Sequence, residues 1–121
     1  MTKSKINLKS KLESIKDYWS PKVIAELNDY QFKLEKIKDE FIWHEHSDTD
    51  EAFVVIEGNI AIELEDRIIE LGEGEMFIVP KGEKHKPIAR GEAHIMLIEP
   101  KGVKNTGDIE NELTAKNDIW I

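Results

Sequence analysis

The sequence predicts an all-β domain, a sandwich or barrel of short antiparallel strands, preceded by one short α-helix. Three observations carry this. From Val23 to Glu99, turn signals such as Asn28-Asp29, Asp66-Arg67, Gly72-Glu73-Gly74 and Pro80-Lys81-Gly82 recur roughly every eight to twelve residues. The stretches between them are rich in Ile, Val and Phe, and several alternate apolar with polar residues, the pattern of a strand with one face on a core. Helical spacing occurs ahead of Pro21, where Leu8, Leu12, Ile15 and Trp19 fall on one stripe.

Taken in order, residues 1–6 form a Lys-rich terminal stretch, and Asn7 is a suitable N-cap for the helix. Ser20-Pro21 stops the helix, because the residue before a proline is pushed out of the α region, so the stripe predicts roughly three turns. Strands are expected at Val23–Leu27, Gln31–Ile37, Phe41–His46, Glu51–Ile56, Asn59–Glu65, Ile68–Leu71, Glu75–Val79, His85–Ala89 and His94–Glu99, with Arg90-Gly91 separating the last two. The chain therefore divides into a tail and helix over 1–20, a β domain over 21–100, and an extension over 101–121. The extension ends on Ile119-Trp120-Ile121, three apolar residues expected to dock on the domain or on a partner.

At 121 residues the chain is long enough for one domain with a single core. A formal charge of -8 argues against nucleic-acid partners and anionic membrane surfaces, since the overall field repels polyanions. No apolar run approaches the ~20 residues of a membrane span, and no apolar segment follows the basic N-terminus as a signal peptide requires. A cytoplasmic location is expected. With no cysteine, a metal site must be built from imidazole and carboxylate.

Such a site is written into Phe41–Gly58. His44 and His46 are two apart and leave the same face of a strand. Ser47-Asp48-Thr49-Asp50 is a polar loop, so the stretch reads as a hairpin that sets His46 opposite Glu51 and His44 opposite Phe53. Gly74–His85 would add His85, making His44, His46, Glu51 and His85 the candidate metal ligands. Trp43 and Glu45 fall on the opposite face, and His94 lies outside both stretches. Lys81, Lys84, Lys86 and Arg90 cluster near the second stretch and read as a solvated loop. Phe53, Val55, Phe77 and Ile88 are core candidates, and Ile42, Phe77 and Ile88 the expected apolar lining of a pocket.

The two stretches resemble the paired motifs of the cupin superfamily. His44-Glu45-His46, four residues, Glu51, six residues and Gly58 match the first motif, with Lys38 at its leading glycine. Gly74, Pro80-Lys81-Gly82 and His85 match the second, with Ala89 at its closing asparagine. WHEHSDTDE, IEPKGVKNTGD and the terminal Trp-Ile are similar to a set of small single-domain cupins sometimes labelled mannose-6-phosphate isomerase-like. The resemblance implies a double-stranded β-helix, or jelly-roll, barrel over 21–100, with a metal held at the positions of His44, His46, Glu51 and His85.

Three imidazoles and one carboxylate suit a divalent transition metal such as Mn, Fe, Ni or Zn, with Cu also compatible. The expected function is that of a metal-dependent enzyme on a small organic substrate, an oxygenase, isomerase or decarboxylase. The alternative is a non-catalytic small-molecule- or metal-binding protein. A second acid in the interior would favour the enzyme, and Glu57 is the candidate if it faces inward. The apolar stripe of the helix and the apolar tail predict a homodimer.

Overall fold

The computed structural model describes residues 3–121, so the first two residues of the Lys-rich stretch lie outside the described residues. One helix precedes seven strands: α1 (Leu8–Ser14), β1 (Lys22–Leu27), β2 (Tyr30–Glu40), β3 (Glu51–Glu57), β4 (Ile60–Leu64), β5 (Ile68–Leu71), β6 (Met76–Val79) and β7 (His85–Pro100). The Asn7 side chain caps α1 by accepting from the Ser10 amide at 3.0 Å. The helix is shorter than its stripe predicts. It ends at Ser14, and Ile15 is already extended, because the sheet captures the next residues. Lys36 Nζ donates to the Ile15 carbonyl at 2.9 Å, and the Trp19 amide donates to the Lys36 carbonyl at 2.9 Å. Trp19 then stacks on Phe41 with ring centroids 4.7 Å apart. The apolar side of α1 is covered within the chain, where Leu12 and Ile15 pack with Ile24 and Leu34.

The sheet is built around β7. Its first half pairs with β4, from Leu64↔His85 to Ile60↔Ala89. Its second half lies between β2 and β3, with Leu34↔Met96 on one edge and Val54↔Met96 on the other. Arg90-Gly91, expected to separate two strands, is instead a bend inside one strand of sixteen residues. Gly91 has φ +80, a left-handed conformation that glycine adopts without strain. Through this bend both halves of β7 line one core, in which Ile37, Val55, Ile60, Ile62 and Ile95 are fully buried.

The ladders do not close into a barrel. The hydrogen-bonded order is β1-β2-β7-β3-β6, with β4 and β5 branching from β7, so the sheet is open. The jelly-roll barrel expected from the sequence is thereby corrected: the fold is a mostly-β open sheet with one N-terminal helix. Physically, the outer strands run out of partners. β5 and β6 are four residues each, and among the described residues β5 bonds only to β4 and β6 only to β3. The far edge of β1 carries just the isolated Val23–Trp120 bridge, where the Val23 amide donates to the Ile119 carbonyl at 2.7 Å.

Candidate metal centre

His44, His46, Glu51 and His85 converge, and one potential ligand atom from each lies within 4.8 Å of all the others. All four residues are buried. They do not meet through the hairpin read from the sequence. β3 has both edges taken, by β6 and β7, and residues 41–46 pair elsewhere. The His44 and His85 backbones exchange both hydrogen bonds, at 3.0 and 2.9 Å, and the Gly82 amide donates to the His46 carbonyl at 2.8 Å. The two motifs are thus neighbours in the backbone, and Glu51 reaches the imidazoles from the start of β3.

The backbone also sets the tautomers. A carbonyl only accepts, so His44 Nδ1–H donates to the Ile42 carbonyl and His85 Nδ1–H to the Glu83 carbonyl, each at 2.9 Å. Both rings are left with Nε2 as the basic nitrogen, the usual way an outer partner orients a metal-binding histidine. Glu51 Oε1 sits 3.3 Å from His46 Nε2 and 3.4 Å from His85 Nε2. Yet these three atoms are buried without a hydrogen-bond partner. Leaving such groups unmet costs about 1–3 kcal/mol each, and a single cation among them satisfies all three. The donor set therefore fits a divalent metal.

Electrostatics agree. Burial and the neighbouring His85 lower the His44 pKa to about 4, so its imidazole is neutral, as a ligand must be. Burial raises the Glu51 pKa, but the His46 and His85 imidazoles outweigh it and hold the carboxyl well below its ordinary value. Behind it, burial and the Glu51 charge push the Glu99 carboxyl well above the ordinary range, although Lys33 Nζ lies 2.9 Å away. Two buried carboxyls side by side share a proton rather than both ionise.

The other residues singled out in the sequence lie apart. Glu57 is exposed and bonds His94 Nδ1 at 2.9 Å, so it is not the interior acid. Lys86 pairs with Glu40 at 2.7 Å and lies over the half-exposed Trp43 ring, while Arg90 pairs with Glu70 at 2.6 Å. Beside the cluster is a cavity of about 20 Å³ walled by Trp19, Phe41, Phe53, Pro87 and Leu97 together with His44, Glu51, Glu35 and Asn105. Its apolar walls are therefore not the expected Ile42, Phe77 and Ile88. Sequence reasoning missed two interior acids, Glu99 beside Glu51 and Glu35 on the cavity wall. For Glu35 the signal lay in β2, where Ile37 keeps phase with Gln31, Lys33 and Glu35, so the polar face of that strand points inward.

His44, His46, Glu51 and His85, drawn from two paired motifs on a mostly-β fold, meet in one buried cluster, as the cupin motifs imply. The family model of the cupin domain matches residues 31–99, and the chain belongs to that family. It is 32% identical over 81 residues to the uncharacterised protein YdbB of Bacillus subtilis strain 168, covering 66% of this chain and 72% of that one. Among solved structures it is similar to a cupin-2 domain containing protein from Shewanella frigidimarina, with 54% identity and a TM-score of 0.78 over 79% of this chain and 94% of that one. Protein NMB1881 from Neisseria meningitidis is 35% identical with a TM-score of 0.74, over 81% of this chain and all 100% of its own. Among the described residues, no helix is long and apolar enough to cross a membrane.

Proposed function

We propose that the chain binds one divalent transition-metal ion through His44, His46, Glu51 and His85. The observation that carries this is the convergence of three buried, partnerless ligand atoms, His46 Nε2, His85 Nε2 and Glu51 Oε1. Mn, Fe, Ni or Zn suits the donor set. Such an ion supplies Lewis-acid or redox chemistry to whatever reaches a remaining coordination position. The chain's residues do the rest: the Ile42 and Glu83 carbonyls hold the imidazoles in register, and apolar side chains wall much of the space beside them.

On this basis the protein is a metal-dependent enzyme acting on a small organic molecule, of the oxygenase, isomerase or decarboxylase class. The presence of the acidic Glu35 on the same cavity as the cluster favours catalysis. The second reading, a non-catalytic binding protein, is favoured by the volume of that cavity, about 20 Å³, which is far below that of an ordinary ligand pocket. A cytoplasmic homodimer completes the proposal. Its contact would be the outer face of β6, where Met76 and Ile78 are about half exposed beside Val54 and Ala52 of β3.

The experiment is metal analysis of untagged protein after chelator treatment and dialysis against Mn, Fe, Ni or Zn. One ion per chain in the wild type, and none in His46→Ala or His85→Ala, is expected. A wild type that retains no metal refutes the proposal. For catalysis, the Co(II)-loaded protein is titrated with oxalate and simple 2-oxo acids. A visible spectrum that never changes favours the non-catalytic reading.

A further inference from the structure

The cavity beside the cluster is lined in part by residues from well outside the motifs. Trp19 comes from the segment after α1 and Asn105 from the C-terminal extension. Nearly every polar group on its wall is already committed. Trp19 Nε1 donates to the Lys38 carbonyl at 3.0 Å, and His44 Nδ1 to the Ile42 carbonyl at 2.9 Å. The Asn105 amide donates to the Trp19 and Leu113 carbonyls at 3.0 and 3.1 Å and accepts from the Ala115 amide at 2.9 Å. What remains uncommitted is the cluster itself, through Glu51, and on the same cavity wall Glu35. Among the described residues Glu35 has neither an ion pair nor a hydrogen bond, although it is buried.

The Glu35 oxygens, unlike Glu51 Oε1 and Glu99 Oε1, are not sealed off from water-sized space, and β2 is held in place from both sides, through Lys22↔Leu34 of the β1 ladder and Glu35↔Ile95 of the β7 ladder. The cavity volume of about 20 Å³ exceeds the roughly 10–15 Å³ that one water requires and is small beside an ordinary ligand pocket. We propose that this cavity is a built site for a single water molecule in contact with the metal centre, and that Glu35 is the side chain that hydrogen-bonds to it. The inference rests on the four-ligand reading and adds a fifth functional residue to it.

Burial and the Glu51 charge raise the Glu35 pKa to about 8, with Lys33 acting in the opposite sense. When protonated, the carboxyl donates to the water's oxygen. Once ionised, it accepts from the water instead. A proton can pass either way between the carboxyl oxygen and the molecule in the cavity, with no other atom exchanged.

The test uses crystals of the Zn(II)-loaded wild type, Glu35→Gln and Glu35→Leu, with metal content measured on each protein. Visible spectra of the Co(II)-loaded forms are recorded alongside. One metal per chain is expected in all three. An ordered water should lie within hydrogen-bond distance of residue 35 in the wild type and in E35Q, and be absent from E35L. The Co(II) spectrum of E35L should depart from the wild type, with E35Q restoring it. A metal-loaded wild type whose cavity is dry, or whose Glu35 binds the metal directly, overturns the inference. So does an E35L protein with the water and spectrum of the wild type. If E35L does not fold, the wild-type and E35Q water positions decide. A wild type that takes up no metal at all refutes the four-ligand reading instead, so the two failures are distinguishable.

Discussion

Replacing Glu35 by glutamine gives the sharpest thermodynamic prediction. The carboxyl is buried, and its pKa rises from an ordinary 4.5 to about 8 in the folded chain. A raised folded-state value means that the native state holds the proton more tightly than the unfolded state. The stability linked to that proton is complete below pH 4.5 and is lost as pH rises to about 8. At about 1.4 kcal/mol per pH unit, the loss is about 3 kcal/mol by pH 7 and about 5 kcal/mol above pH 8. Glutamine has the same shape and no proton to lose. Its advantage over the wild type should therefore vanish at pH 4, reach about 3 kcal/mol at pH 7 and level off near about 5 kcal/mol by pH 9. With about 4 °C per kcal/mol for a domain of this size, the difference at pH 7 is roughly 12 °C in Tm. The groups whose own titration bears on Glu35 are Glu51, Lys33, Lys22 and Asp17, and both proteins share them. The assay is thermal unfolding of chelator-treated protein at pH 4, 7 and 9, because a bound cation would favour the ionised carboxylate. A Tm difference that stays flat across this range refutes the argument, as does a wild type that is the more stable at pH 9.

Other perturbations probe separate parts of the molecule. Zinc at about a hundred times its Kd should stabilise the wild type by about 2.7 kcal/mol in urea unfolding, and His85→Ala should abolish that gain. Gly107→Val should loosen the C-terminal extension, because Gly107 has φ +66 and any Cβ there runs into the Glu45 carbonyl. A loss of about 1–3 kcal/mol and faster proteolysis after Lys104 or Lys116 are expected, and unchanged cleavage would contradict this. Light scattering should give twice the 14.0 kDa chain mass, falling to a monomer in Ile78→Lys; a monomeric wild type rejects the dimer.

The sequence disclosed faces better than partners, because alternation reports only which residues share a face. His44 and His46 were therefore legible together, and motif spacing added Glu51 and His85. Alternation does not report which strands pair. The hairpin from Phe41 to Ile56 is locally plausible, yet β3 finds better partners in β6 and β7, and His44 bonds across to His85. The helix was overextended because Trp19 continues the stripe of Leu8, Leu12 and Ile15, while its side chain belongs to Phe41. Closure of the sheet is likewise a property of strand ends, and nothing local marks β5 and β6 as outer strands. Glu35 was hidden for a different reason. A polar residue on an alternating strand normally faces solvent, but α1 covers the Leu34 side of β2, which leaves Lys33 and Glu35 inside.

The bent strand β7 also dictates the order in which the protein can assemble. β2, β3 and β4 each have β7 as a neighbour, and their partners in it lie at residues 85–100. Until that segment is available, β1–β2, β3–β6 and β4–β5 are isolated pairs, and isolated strand pairs are marginal in water. Pairings as distant as Tyr30↔Pro100 also demand closure of long loops before any of them is rewarded. On the ribosome, the earlier strands must therefore wait with their apolar faces uncovered. The interval between synthesis of β6 and release of β7 is when this chain is most exposed to aggregation.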